Sequence, residues 1–396
     1  MKEFTTSLKR NKIGCFKPNN STKKNGITIN RSTSGLVVAL ALVVFCYLFY
    51  VFYVGSCGVA ESLVFMLCRL VICLLAVTLV FVNMSLKEQL LWLLLIASFF
   101  ISYLIHPSGL EYFCNTFVFL GVICVLPKVR VNRIILELIV LIYAVFTFFI
   151  LSLYTLKPEL VNSNSAGQVS FCFICLLFAL IKYFKNKYIK VILCILAVLT
   201  TALCITYKSR AIFICIAVLY FSLALKFHKR RWVKRRVKFI FCSIYFLSIL
   251  FAYLYAVPLY DLLGDKNIMI FGKSLFSGRA ILWRAAFNVI KSNFWFGIGN
   301  TLIVEGSYAH DNIINYHNQM LGFLAVYGIF FTVAFISLFS DAVKRIVKCG
   351  GEFTVLILLC VFVDSLFETC MYSTPALYIA VLVLITYTIE RFYTEK

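Results

Sequence analysis

The chain has 396 residues, of which 62% are hydrophobic and only 14% charged, with 40 Phe and a mean hydropathy of +0.96. No soluble core needs that much apolar surface, so the composition excludes an ordinary globular domain and points to an all-α, polytopic integral membrane protein. The formal net charge of +22 argues for membrane topology and against nucleic acid as a partner, because the Lys and Arg fall in short segments between apolar runs.

Residues 1–34 are polar and basic, without a short apolar core followed by a small-residue cleavage site, and read as a retained cytoplasmic tail. Beyond them, apolar runs that match a hydrocarbon thickness of ~30 Å at ~1.5 Å per helical residue can be drawn about twelve times. They fall near 35–54, 60–82, 89–105, 111–126, 134–156, 168–184, 189–206, 211–227, 239–260, 319–340, 353–370 and 374–390. With the N-terminus inside, the segments 1–34, 83–88, 127–133, 182–190, 226–238, 341–352 and 391–396 are cytoplasmic and hold 29 of the 38 Lys and Arg. That bias satisfies the positive-inside rule and places both termini in the cytoplasm. The chain thus divides into a basic tail at 1–34, nine spans over 35–260, an extracytoplasmic loop at 261–318, and three spans with a short tail over 319–396.

Most of the sixteen Cys lie inside apolar runs, where Cys behaves as a small hydrophobe. Cys172 and Cys175 form a CxxC in mid-span without a second pair or a neighbouring His, so a buried structural role is expected over a metal or redox one. The sequence KFHKRRWVKRRVK at 226–238 reads as a topology determinant that touches anionic lipid.

The loop at 261–318 is the longest and lies outside, so function is expected to concentrate there. Eight cations oppose the topology rule by lying outside: Lys157, Lys208, Arg210, Lys266, Lys273, Arg279, Arg284 and Lys291. Arginine at a membrane surface offers a planar fork of donors that matches phosphate oxygens. In SGRAILWRAAFNVIKSNFWFGIGN at 277–300, Ser277 is a candidate helix N-cap. Ile281, Leu282, Ala285, Val289 and Ile290 then share a broad apolar face, while Arg284, Asn288 and Lys291 share another, as in a helix lying in the outer interface. Gly297 and Gly299 allow tight turns and close backbone approach to a ligand. His106, His310 and His317 lie outside by this topology, two of them in the long loop. Asp364 and Glu368 are intramembrane carboxylates one helical turn apart, fit either to bind sugar, to take a proton or to pair with an arginine.

SGR at 277–279, Trp283, GIG at 297–299, and His317-Asn318 with Leu321 and Gly328 trailing resemble, in order, the signature of the bacterial O-antigen ligase and polysaccharide polymerase superfamily. Ser209-Arg210 opening a span and NSNSAG at 162–167 are similar to further features of it. The resemblance covers roughly 160–340 and departs at Phe294, where a proline is common, and at Phe331, where a glycine is common. It implies a metal-independent membrane glycosyltransferase without a cofactor. The donor would be an undecaprenyl-diphosphate-linked oligosaccharide on the outer face of the bacterial cytoplasmic membrane, with membrane lipids and other polysaccharide-assembly proteins as partners.

On that expectation Arg210 and Arg279 stabilise the diphosphate leaving group, with Arg284 and Lys208 as further candidates, and His317 is the base toward the acceptor. The alternatives for His317 are to orient the acceptor hydroxyl, with His310 as the second candidate base, or to cap the tenth span. Gly297, Gly299, His310, Asn318, Asp364 and Glu368 complete the expected substrate-binding set. The reaction expected is polymerisation, with ligation to a lipid core or a protein as the alternative, and transport or flipping of lipid-linked sugar as the alternative from another class.

Overall fold

The computed structural model of the chain describes residues 71, 85–105, 110–128, 130–156, 163–207, 209–264, 266, 268–270, 273–276, 278–299, 316–368, 371 and 375–394. The spans expected at 35–54 and 60–82 lie outside these residues apart from Val71. In chain order the helices are α1 (Leu86–Ile105), α2 (Leu110–Val125), α3 (Arg133–Leu156), α4 (Ser163–Tyr183), α5 (Lys187–Thr206) and α6 (Arg210–Ala224). Then follow α7 (Arg231–Leu254), a π-turn (Tyr255–Leu259), α8 (Tyr260–Leu263), α9 (Arg279–Ser292), α10 (Gln319–Lys348), α11 (Glu352–Asp364) and α12 (Pro375–Thr394). A two-residue antiparallel ladder pairs β1 (Met269–Ile270) with β2 (Lys273–Ser274) just before α9.

These Val-, Ile- and Phe-rich runs would suit strands in water, but hydrocarbon offers no partner for exposed peptide groups, so each segment satisfies its own backbone as a helix. Among the described residues, six helices are long and apolar enough to cross a membrane: α1, α3, α4, α5, α7 with its extension, and α10. Polar residues at the boundaries set the starts. Ser85 donates from both N and Oγ to Glu88 (2.9 and 2.8 Å), Asn186 Oδ1 accepts the Tyr188 N–H (2.8 Å), and Asn318 Oδ1 accepts from Met320 and Leu321 (3.1 and 3.0 Å). Two expected loops prove helical at their edges. Of the basic stretch 226–238, Arg231 onward forms the first two turns of α7, and α10 continues to Lys348 through what was expected to be a loop from 341.

The centre of the bundle is α10, which packs on α1, α2, α7 and α9, and α12, which packs on α2, α4 and α11. The outer faces of α3, α5 and α7 leave large apolar side chains such as Phe148, Val198 and Phe246 exposed, as lipid-facing surfaces do. Gly167 draws α4 against α6: a Cβ there would lie 3.1 Å from Ile212 Cγ1 and 3.2 Å from Ser209 Cβ.

α10 is not continuous. At Gly328 the backbone takes φ 76° and ψ −173°, which interrupts the helical ladder inside an apolar segment. The loop after α9 fills the break: Ile298 N–H donates to Ala325 O, Gly299 N–H to Val326 O, and Ile329 N–H to Phe294 O, each at 3.0 Å. Ser102 Oγ adds a second bond to Val326 O (2.8 Å). A Cβ at Gly328 would lie 2.3 Å from the Trp295 carbonyl oxygen, and one at Gly297 2.4 Å from the Val326 carbonyl. Gly328→Ala therefore combines a positive φ with a backbone clash, and we expect it to cost about 2–5 kcal/mol. A thermal-unfolding scan of the purified protein, with Gly322→Ala as the in-helix control, checks this.

Candidate active site

Glu368 is the point at which three separate elements meet. α11 ends at Asp364, but its chain turns on with Phe367 and Glu368 N–H groups both donating to Asp364 O at 2.9 Å, so the two carboxylates stay one turn apart. Both are buried, at 4% and 6% exposure, and a buried carboxylate must be partnered. Glu368 Oε1 accepts from Arg279 Nη2 at 2.7 Å and from Asn164 Nδ2 at 2.9 Å, and Oε2 bonds His317 Nδ1 at 2.9 Å. Asp364 Oδ2 accepts from Gln168 Nε2 at 2.8 Å, while its Oδ1 has no hydrogen-bond partner among the described residues.

The start of α10 is clasped onto this turn. Asn318 Nδ2 donates to Leu366 O (3.1 Å), Gln319 N–H to Ser365 O (2.9 Å), and Met371 N–H to Gln319 Oε1 (2.8 Å). Asn318 is fully buried and is itself the α10 N-cap, so the capping role considered for His317 belongs to its neighbour. His317 stands outside the helix at φ 49°, a left-handed conformation uncommon for any residue but Gly and Asn. Its ring is thereby turned onto Glu368. From α9, Trp283 Nε1 donates to Tyr316 O at 2.6 Å, fixing the residue before His317, and burial pushes the Tyr316 hydroxyl well above its ordinary range.

Arg279 opens α9 and Arg210 opens α6, and the two guanidinium groups line one cleft of about 310 Å³ and repel each other there. Its walls are apolar and aromatic, from Ile214, Phe251, Tyr255, Leu259, Trp283 and Phe367. Two guanidinium groups beside one another on apolar walls favour an anion between them, because it relieves their mutual repulsion. Glu368 neutralises Arg279 from the protein side.

The other expected residues fall differently. Arg284 turns away from the cleft: its Nε and Nη2 donate to Ala256 O (3.1 and 3.0 Å) in the π-turn that Pro258 interrupts, and Nη2 also pairs with Asp261 at 2.6 Å. Its guanidinium lies over the Tyr260 ring, 5.3 Å from the centroid. Arg284→Ala is accordingly expected to lower stability by about 1–3 kcal/mol while leaving the per-molecule reaction rate within a few-fold of wild type. Paired unfolding and turnover measurements separate the two effects. Gly297 and Gly299 make their close backbone approach to α10. Lys208, His310 and Ser277 lie outside the described residues, and Gly278, at φ 74°, occupies the N-cap position of α9. The buried stripe of α9 is Ala280, Trp283 and Ala286; Leu282, Ala285, Val289 and Ile290 pack partly against the core, whereas Ile281 is half exposed and departs from the expected face.

Asn164, Gln168 and the aromatic cleft walls were not among the expected site residues. A signal for the first two was present in the polar run NSNSAGQ opening a membrane-grade helix, since polar side chains at such depth mark function or a partner. Cys172 and Cys175 are buried free thiols, in keeping with a structural role.

Residues 195–336 match the family model described as O-antigen ligase. The match takes in Arg210, Arg279 and His317 and stops short of Asp364 and Glu368, and it supports the resemblance to the O-antigen ligase and polymerase superfamily. No curated protein matched the chain.

Proposed function

We propose that the chain is a membrane glycosyltransferase that moves an oligosaccharide from a lipid-diphosphate carrier to an acceptor hydroxyl, elongating a polysaccharide. The observation that carries this reading is the single carboxylate, Glu368, holding both an arginine of the two-cation cleft and a histidine. In the reaction the bond between the anomeric carbon and the diphosphate oxygen breaks, and the electron pair leaves with the diphosphate. Arg279 and Arg210 stabilise that growing charge as fixed forks, without reorganisation at the moment of reaction. The apolar and aromatic walls of the same cleft suit the first hydrocarbon units of the carrier.

The acceptor oxygen forms the new bond to the anomeric carbon and must lose its proton. With Nδ1–H donating to Glu368, the imidazole carries its lone pair on Nε2, and the carboxylate stabilises the imidazolium that forms. Glu368 is the positioning residue that keeps acceptor base and leaving-group cation in one frame. Asn164 and Gln168 hold the carboxylate pair from α4. Because fixed cations supply the charge, transfer is expected to persist in excess chelator.

A second reading, ligation of finished glycan to a different acceptor, is favoured by the description of the matched family model. Purified protein given a defined lipid-diphosphate oligosaccharide alone decides between them. A ladder of products and release of lipid diphosphate indicates polymerisation. Product formed only after a lipid-core or protein acceptor is added indicates ligation. Failure to release lipid diphosphate under either condition would sink both readings.

A further inference from the structure

The far end of α7 carries a second concentration of charge that the transfer site does not use. α7 has 24 residues, so its start lies about 36 Å from the end that leads into Tyr255 and the cleft. At that start, Arg230, Arg231, Arg235 and Arg236 surround Trp232 in a concavity of about 670 Å³. All five side chains are exposed.

The cations of this helix divide by direction. Lys234 and Lys238, on the flank toward the bundle, pair with Glu352 and Asp341. The four arginines have no acidic partner among the described residues, the first turn of α7 holds no acidic residue, and its N-cap makes no side-chain bond. Arginines crowded at the positive end of a helix macrodipole repel both the dipole and one another, so the arrangement is unfavourable until an external anion is added. It is also chemically selective: the paired positions use Lys, and the four outward positions use the fork that matches phosphate oxygens.

What lies below the patch identifies the anion. Trp232, Arg236, Phe239, Phe246, Leu250 and Tyr253 recur at helical spacing on the face opposite the buried Val233, Val237, Phe241 and Ala252. Phe239 and Phe246 are 67% and 66% exposed, which in this bundle makes that face a hydrocarbon contact. A molecule spanning both zones has apolar chains against Phe239 and Phe246 and a phosphate at the arginines. Trp232, packed edge-on to Phe227 at 5.3 Å, stands at the boundary where an amphipathic ring is stable.

We propose that Arg230, Arg231, Trp232, Arg235 and Arg236 form a binding site for the phosphate headgroup of an anionic phospholipid, in the leaflet opposite the Glu368 cluster. The site is independent of the transfer reaction. Bound lipid neutralises the start of α7 and fixes the depth of the helix whose other end shapes the cleft.

The test is lipid retention by the detergent-purified full chain, counted by native mass spectrometry after titration with phosphatidylglycerol or phosphatidylcholine. Wild type is expected to retain phosphatidylglycerol in preference, and each arginine changed to Gln should weaken that retention about fivefold. Lys234→Gln, whose partner is Glu352, should leave the preference intact. Where the quadruple Gln variant fails to insert, the quadruple Lys variant keeps the charge and decides the matter. A loss of threefold or more there supports a phosphate-matched site, and retention within twofold leaves only diffuse attraction and overturns it. Equal retention of the two lipids by wild type overturns the proposal, as does displacement of phosphatidylglycerol by an equimolar soluble polyphosphate, which would reassign the patch to a water-borne polyanion.

Discussion

Arg279→Ala is expected to reduce the rate of transfer by on the order of 10²–10³-fold, the range for deleting one preorganised donor aimed at developing charge. The substitution also strips Glu368 of the arginine it pairs with, and breaking a buried pair from one side costs about 3–5 kcal/mol, so lost activity alone would be ambiguous. Arg279→Lys resolves it. A lysine keeps a cation beside Glu368 and is expected to restore folded yield, yet a point charge cannot both pair with the carboxylate and present a planar fork to a diphosphate. The rate of the Lys variant should stay within about tenfold of the Ala variant while its unfolding temperature returns toward wild type. Near-normal transfer by Arg279→Ala at matched protein level would reduce Arg279 to a structural cation. Arg210→Ala leaves the Arg279–Glu368 pair in place and should show the rate loss with a smaller stability loss.

That Arg279 needs a cause beyond topology is an expectation legible in one dimension, because on the expected topology its charge runs against the positive-inside bias. That its partner is Glu368, 89 residues on, is not legible, since nothing local to either position specifies the packing of α9 on α10 and the clasp of α10 onto the end of α11. The six helices long and apolar enough to cross a membrane were readable as helices because apolar length dominates them. Helix boundaries at Arg231 and Lys348 were not, because basic residues that mark a topological side do not stop a helix.

The glycines show the same division. Gly297, Gly299 and Gly328 are visible as a pattern, and glycine does announce close backbone approach. Which backbone approaches is a tertiary fact: the loop after α9 meets the break in α10, where Ile298 and Gly299 donate to Ala325 and Val326 and Ile329 donates to Phe294. Arg284 is the converse case. Its spacing from Lys291 made it look like part of an outward cationic face, but the Ala256 carbonyl in the π-turn that holds Pro258 lies within its reach, and a specific local acceptor outweighs a diffuse role.

His317→Asn is expected to slow transfer by on the order of 10²–10⁴-fold while leaving binding of the lipid-diphosphate donor within a few-fold of wild type. The choice of Asn follows from the backbone. At φ 49° most side chains are strained, with a penalty of about 1–2 kcal/mol for the left-handed region, whereas Asn tolerates it. Asn can also donate an amide N–H to Glu368 Oε2, so the carboxylate keeps a partner and the clasp made by Asn318 and Gln319 stays in place. What Asn cannot do is accept a proton near neutral pH. The variant thus removes proton transfer and little else, and His317→Ala, which adds strain and an emptied partner position, should be no faster and less stable. The measurement is the single-turnover rate with a defined lipid-diphosphate donor, set beside donor affinity and unfolding temperature for wild type and both variants. A His317→Asn rate within about threefold of wild type would remove His317 from the chemistry. The base would then have to be a carboxylate. Glu368 is committed to Arg279 and Asn164 through Oε1 and to His317 through Oε2, so the role would pass to Asp364, whose Oδ1 is without a hydrogen-bond partner among the described residues, and Asp364→Asn would become the deciding variant.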